Sequence, residues 1–211
     1  MKELFAEIES VLPEGGDWCD LQKAQTLAAL VVGLRPRVMV EVGVFLGGSL
    51  IPMLLAMKHV KVGRAIAIDP WARDASVIDQ DEVNAAWWKT IDHDDVYRRF
   101  LSRLEKHGCM DICTVVRRRS DLCDPPEGEC QLVHLDGNHG PQAIRDVERF
   151  APNVTVGGFL ILDDLHWAGG HVSAARELAV SMGFVELYEI GTGCVMQRRE
   201  RTRATCREKQ P

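Results

Sequence analysis

The spacing of apolar and polar positions along the 211 residues changes several times, and each change marks an element. From Lys2 to Leu12, Leu4, Ile8, Val11 and Leu12 fall on one helical face, and Pro13 with Gly15 and Gly16 stops that helix. A second helix is predicted from about Asp20, with Leu21, Ala24, Ala28, Val31 and Val32 on one face, ended by Gly33 and Pro36. Val38, Met39, Val40 and Val42 then make an apolar run short enough for a fully buried strand. A helix from about Ser49 to His59 follows, with Pro52 in its first turn, where a missing N–H is harmless. Arg64 to Asp69 is the second predicted strand, and strand–helix–strand implies a right-handed parallel crossover.

Between Pro70 and Lys106 the pattern breaks. Trp71, Trp87 and Trp88 lie among many acids, and only Val96, Phe100, Leu101 and Leu104 give a clear helix, ending at Gly108. The earlier part is predicted to be a mobile loop and short helix over the carboxyl edge of the sheet, either a lid with aromatic contacts or a packing segment. Further strands are predicted at Ile112–Val116, Gln131–Asp136 and Phe159–Asp164, with helices from Pro141 to Phe150 and after Gly169-Gly170. Phe184–Tyr188 and Gly193–Gln197, joined by Gly191-Thr192-Gly193, predict a closing hairpin. The sum is an α/β fold: a Rossmann-like, doubly wound, mostly parallel seven-stranded sheet with a C-terminal antiparallel hairpin and N-terminal helices. Residues 1–36 are expected to form a helical extension, 37–198 the main domain with a lid-like insert at 70–108, and 199–211 a disordered tail.

Bulk composition narrows the class. A hydrophobic content of 46% and a charged content of 27% are ordinary for a globular domain. A net charge of −6 gives no reason to expect nucleic acid. The first twelve residues show no signal-peptide pattern, and no apolar run reaches the ~20 residues of a membrane span. Seven cysteines at irregular spacing, with no C-x-x-C pair, fit free thiols in a reducing compartment, so a cytoplasmic protein is expected.

The candidate chemistry begins at Arg37–Leu50, RVMVEVGVFLGGSL. An acid, Glu41, lies inside the first strand; Gly43, Gly47, Gly48 and Ser49 follow, and a helix starts. Glycines let backbone approach a ligand, and a helix N-terminus offers free N–H groups. The spacing E-x-G-x-x-x-G-x-S is neither the dinucleotide fingerprint nor a phosphate loop. Acids also close later strands: Asp69, Asp136, Asp163 and Asp164. Ligands bind outside the carboxyl ends of parallel strands, and an acid after the second strand is placed to accept ribose hydroxyls. If the fourth and fifth strands are neighbours, about 5 Å apart, the last three acids converge, and oxygen donors suit a hard divalent ion. His139, three residues past Asp136, is the candidate general base. A nicotinamide-dependent oxidoreductase, a metal-independent methyltransferase and a non-catalytic adenosine-binding domain are the alternatives.

On Glu41-Val42-Gly43, Gly47-Gly48-Ser49, Asp69 and the hairpin, the chain resembles class I S-adenosylmethionine-dependent methyltransferases. Asp136 with Asp163-Asp164 is similar to the metal-dependent O-methyltransferases, and LDGNHGPQAIRDVERFAPNVTVGGFLILDD to the branch that includes macrolide-sugar enzymes. The resemblance implies that Glu41, Gly43, Gly47 and Ser49 hold the methionine part of S-adenosylmethionine. Asp69 would take the ribose, with Trp71 beside it, and Ser120 and Asp121 the adenine. Asp136, Asp163 and Asp164 would bind Mg²⁺, Asp136 also facing the cofactor. Catechol enzymes carry a Lys where His139 stands, so the resemblance implies a small polyhydroxylated acceptor. It also implies a homo-oligomer.

Overall fold

A computed structural model describes residues 1–16 and 18–200. Helices α1 (Lys2–Val11) and α2 (Leu21–Leu34) precede β1 (Val38–Val42), α3 (Leu50–Val60) and β2 (Arg64–Asp69). Three helices, α4 (Arg73–Ser76), α5 (Glu82–Thr90) and α6 (His93–Lys106), fill the segment where the pattern was weakest. β3 (Cys113–Arg117), β4 (Cys130–Leu135), α7 (Pro141–Phe150), β5 (Val154–Leu162), α8 (His171–Ser181), β6 (Phe184–Ile190) and β7 (Gly193–Arg198) complete the order. The expected tail lies outside the described residues from position 201 on.

The seven strands form one sheet in the order β3-β2-β1-β4-β5-β7-β6. All pairings are parallel except β5 with β7 and β7 with β6. The chain leaves β1 toward β2 and β3, then returns to start β4 on the other side of β1. Adjacent strands whose connections diverge leave a crevice above their carboxyl ends, and that is where a ligand fits.

Strand alternation divides the core in two. Met39, Ala67, Leu132, Ile161 and Val195 face the layer containing α1, α2, α3 and α6. Val40, Val133, Leu160 and Met196 face the layer of α7 and α8. Leu4, Ile8, Leu27 and Val31 of the first two helices are buried in the former cluster, so the N-terminal pair covers one face of the sheet.

Two predicted boundaries move. β5 starts at Val154 rather than Phe159, with a register shift between Cys130 and Leu132 of its neighbour. Gly157 and Gly158 read as a break in the sequence, yet they form an irregularity inside the strand. Gly157 has φ +83°, and a Cβ on Gly158 would stand 2.8 Å from the Gln131 carbonyl oxygen. Ile112 belongs to a 3-10 turn, Met110–Ile112, that leads into β3.

Among the described residues, no helix is long and apolar enough to cross a membrane. Six cysteines there are free and buried.

Candidate active site

A cavity of about 710 Å³ lies over the carboxyl ends of the central strands. Gly43, Ser49, Asp69, Trp71, Ser120, Asp121, Asp136, His139, Asp163 and Asp164 all line it. Residues far apart in the chain thus meet through register alone: Val42 pairs with Leu135, and Leu135 with Leu162, so the loops that follow emerge side by side.

The Gly43 loop is held from both sides. Gly43 N–H donates to Ile68 O at 2.9 Å, and Asp136 N–H to Val42 O at 2.8 Å. Gly43 has φ +83°, and a side chain there would overlap the Asp136 carbonyl, so only glycine fits. Asp69 accepts from the N–H groups of Val44 at 2.9 Å, Phe45 at 3.0 Å and Trp71 at 2.7 Å. Burial raises its pKa against those three donors. Phe45 and Trp71 are themselves at positive φ, 49° and 39°. Such backbone persists where the surroundings over-determine it, as at binding sites.

Two expected cofactor residues, Glu41 and Gly47, lie behind the cavity wall. Glu41 shares the sheet face of Met39 and is 0% exposed; its Oε1 accepts from Ser49 Oγ at 2.5 Å. That bond takes up the Ser49 hydroxyl, so α3 begins with no side-chain cap. Ile51 N–H already donates to Gly47 O at 3.0 Å and Met53 N–H to Ser49 O at 3.4 Å, and Pro52 has none, so the N–H groups of Ser49 and Leu50 are those left for an anionic group such as a carboxylate. Gly47 packs against Phe100, whose ring a Cβ would meet at 3.1 Å. Trp71 is 1% exposed, donates its indole N–H to Phe45 O at 2.9 Å and stacks on Phe100 with centroids 5.2 Å apart. Opposite, Ser120 is buried, and Asp121 is held by Arg119 through two bonds of 2.9 and 2.6 Å.

The three acids expected to converge divide instead into two sets. His134, Asp136 and Asp163 can bring ligand atoms within 4.8 Å of one another, and so can Asp136, His139 and Asp164. The reason is the period of two in a strand. Asp136 and Asp163 continue the faces of His134 and Ile161, toward α2, whereas Asp164 follows the opposite face and has φ +53°. Thr192 Oγ1 donates to Oδ1 of both Asp163 and Asp164, at 3.2 and 2.9 Å, but their Oδ2 atoms meet different partners, Lys23 and His139, a division the sequence reading did not take into account.

The inner set already has a cation. Lys23 on α2, 7% exposed, bonds Asp163 Oδ2 and lies 3.7 Å from Asp136 Oδ2. Burial lowers the Lys23 pKa, but the two carboxylates outweigh it and hold the amine charged. His134, fully buried, stands 3.6 Å from Glu41 and 3.8 Å from Asp163. Burial disfavours its charge; the two acids reverse this and raise its pKa to about 10. Asp163 is itself held below the usual carboxylate range: burial raises it, and His134 and Lys23 prevail. Asp136 goes the other way, raised by burial and by the Asp163 charge.

The outer set faces the cavity. His139 Nε2 lies 3.1 Å from Asp164 Oδ2, and its ring packs on Trp167 with centroids 4.7 Å apart. Burial lowers the His139 pKa, so the ring is neutral near pH 7. Half-buried carboxylates beside a neutral imidazole make a fitting donor set for a hard divalent ion at Asp136 and Asp164. Asp163 would join them only in competition with Lys23.

Beyond the acids the wall is aromatic. Trp18 stacks on Phe45 at 4.6 Å and meets Trp87 at 5.3 Å and Trp88 at 5.5 Å. Trp87 and Trp88 belong to the segment that the sequence offered as an aromatic lid, whereas Trp18, Phe45, Lys23 and Trp167 were missed in the sequence. Lys23 alone left a signal, since it shares a helical row with buried Leu27 and Val31.

A family described as a methyltransferase domain matches residues 40–165, more than half of the chain. The chain belongs to that family, the class I S-adenosylmethionine-dependent methyltransferases. No curated protein matches it in sequence. The O-methyltransferase NovP superposes with a TM-score of 0.69 at 18% identity, over 91% of this chain and 88% of that one. TomG from Streptomyces achromogenes, an O-methyltransferase of tomaymycin synthesis bound to SAM, gives 0.62 at 16% identity over 94% and 90%. An O-methyltransferase from Bacillus cereus, in complex with SAH, gives 0.58 at 15% over 92% and 89%. The predicted sheet, with its antiparallel end, is the fold found.

Proposed function

We propose that this enzyme methylates a hydroxyl group of a small polyhydroxylated acceptor, of sugar or natural-product type, and that it uses a divalent ion such as Mg²⁺. The observation that carries the reading is the outer set, in which Asp136, His139 and Asp164 meet at the floor of the cavity. The solved O-methyltransferases of like fold support oxygen as the acceptor atom.

S-adenosylmethionine brings the methyl group already activated on a sulfonium. Gly43, Ser49 and the start of α3 would receive its amino-acid end, Asp69 its ribose, and Ser120 with Asp121 its adenine. A divalent ion at Asp136 and Asp164, with Asp163 as a further ligand, would acidify and orient adjacent acceptor hydroxyls. His139, holding its Nε2–H toward Asp164, keeps its Nδ1 lone pair for the acceptor proton. The Trp18, Phe45, Trp87 and Trp88 rings would cover the acceptor and keep water out, with α4 and α5 acting as a lid. Fixing the acceptor oxygen in line with the methyl group is the larger part of the catalysis.

The test is methyl transfer from labelled S-adenosylmethionine to a panel of glycosides, vicinal diols and catechols, with Mg²⁺ or after chelation. Activity on glycosides or diols that falls at least about 100-fold on chelation and in Asp164→Asn is expected. Equal turnover with and without chelator would remove the metal, and activity confined to catechols would remove the acceptor class.

A further inference from the structure

The inner acids raise a question that the proposed reaction leaves open. Asp163 and Asp136 point toward α2, and the group that meets them is the Lys23 ammonium, from 140 residues away in the chain. Lys23 is 7% exposed and Asp163 4%, so neither charge is solvated in the ordinary way. A buried lysine needs partners on every side, and Lys23 has them: Asp163 in direct contact and Asp136 at 3.7 Å. The nitrogen thereby stands between two carboxylates that also belong to the candidate metal set with His134. It contributes a positive charge at the place where a divalent ion bridging Asp136 and Asp163 would contribute two.

Resting on the metal-assisted reading above, we infer that Lys23 is a resident counter-cation that competes with a divalent ion for Asp163. While the ammonium is seated, Asp163 has little to offer an incoming ion, and the two positive charges repel at close range. The ion is then left with Asp136 and Asp164. Full coordination by all three acids requires Lys23 to withdraw. No role as a base is implied: the amine stays protonated between its acids.

Mn²⁺ alone is the probe, titrated into the full-length protein and followed by electron paramagnetic resonance of the free ion. Lys23→Gln is expected to bind Mn²⁺ at least about tenfold tighter than the natural protein, because the repelling charge is gone and Asp163 is released. The double variant K23Q/D163N removes one charge of each sign, leaving the net charge of the inner site unchanged, and should return to within about threefold of the natural affinity. If K23Q is unstable, its thermal melting with and without MnCl₂ gives the same answer: its midpoint should rise more with Mn²⁺ than that of the natural protein. Equal or weaker Mn²⁺ binding by K23Q, with no extra thermal rescue, overturns the inference. The outcomes separate the two readings. Mn²⁺ binding by K23Q but not by the natural protein supports competition and removes the metal-dependent reaction. Equal tight binding by both keeps the reaction and removes the competition.

Discussion

Gly43→Ala tests the close approach on which the whole site is built. Two costs arise at this position, and they can be separated. The first is conformational: φ is +83°, which an L-residue enters at about 1–2 kcal/mol. The second is steric. The new Cβ would overlap the Asp136 carbonyl and stand 2.6 Å from Gly137 Cα, where ordinary contact begins at 3.4 Å. The Asp136 carbonyl oxygen is the nearer obstacle, so the backbone of two neighbouring loops must part by about 1.5 Å to reach ordinary contact, an overpacking of about 1–3 kcal/mol. A total loss of about 2–5 kcal/mol is expected from urea unfolding. Gly157→Ala is the matched control. Its φ is also +83°, but nothing lies within 4 Å of the added carbon, so only the conformational cost of about 1–2 kcal/mol applies. The displaced loop carries Asp136, so Gly43→Ala should also weaken S-adenosylhomocysteine binding by calorimetry and lower turnover by about 100-fold. If Gly43→Ala and Gly157→Ala lose the same stability, and cofactor binding is unchanged, the close approach is not what holds this site.

Two further outcomes follow from the buried side chains. Asp146, 2% exposed and bonded by Gln142 at 2.8 Å, has its pKa raised to about 6 by burial, against the hydrogen bonds of Ser120 and Gln142. An acid whose folded pKa is raised subtracts stability as pH climbs from about 4 to about 6, and continues to do so above, here by about 3 kcal/mol. Asp146→Asn should therefore be the more stable protein at about pH 8, with the gap closing near pH 4; parallel stability–pH curves would refute this. Phe100→Ala, which removes a fully buried ring from beneath Trp71 and Gly47, should cost about 3–5 kcal/mol in urea unfolding. A loss under about 1 kcal/mol would mean that the aromatic stack does not support the cofactor loop.

The elements were legible because strands and helices report themselves locally. Val38–Val42 and Arg64–Asp69 are apolar runs of strand length, and Pro141 and Ser49 mark helix starts, whatever the rest of the chain does. The larger boundary error, at the start of β5, fell where glycine is ambiguous in sequence: Gly157-Gly158 looks like a loop but is an irregularity inside the strand, beside the close Gln131 backbone. The α4–α5 segment was unclear for a different reason. α5 has no buried residue, so no apolar period could have marked it.

The sequence by itself determined that acids would gather at the carboxyl edge of a parallel sheet, because strand ends and their order of types are local facts. Only the tertiary structure decided how those acids are shared. Whether Asp163 and Asp164 act together depends on the faces they follow out of β5, and those faces are assigned by what packs on each side of the sheet. The same packing brings Lys23 from α2 onto Asp163 and turns Glu41 away from the cavity toward Ser49 and His134. A residue's type is written in the chain; the charge that answers it is chosen by the fold.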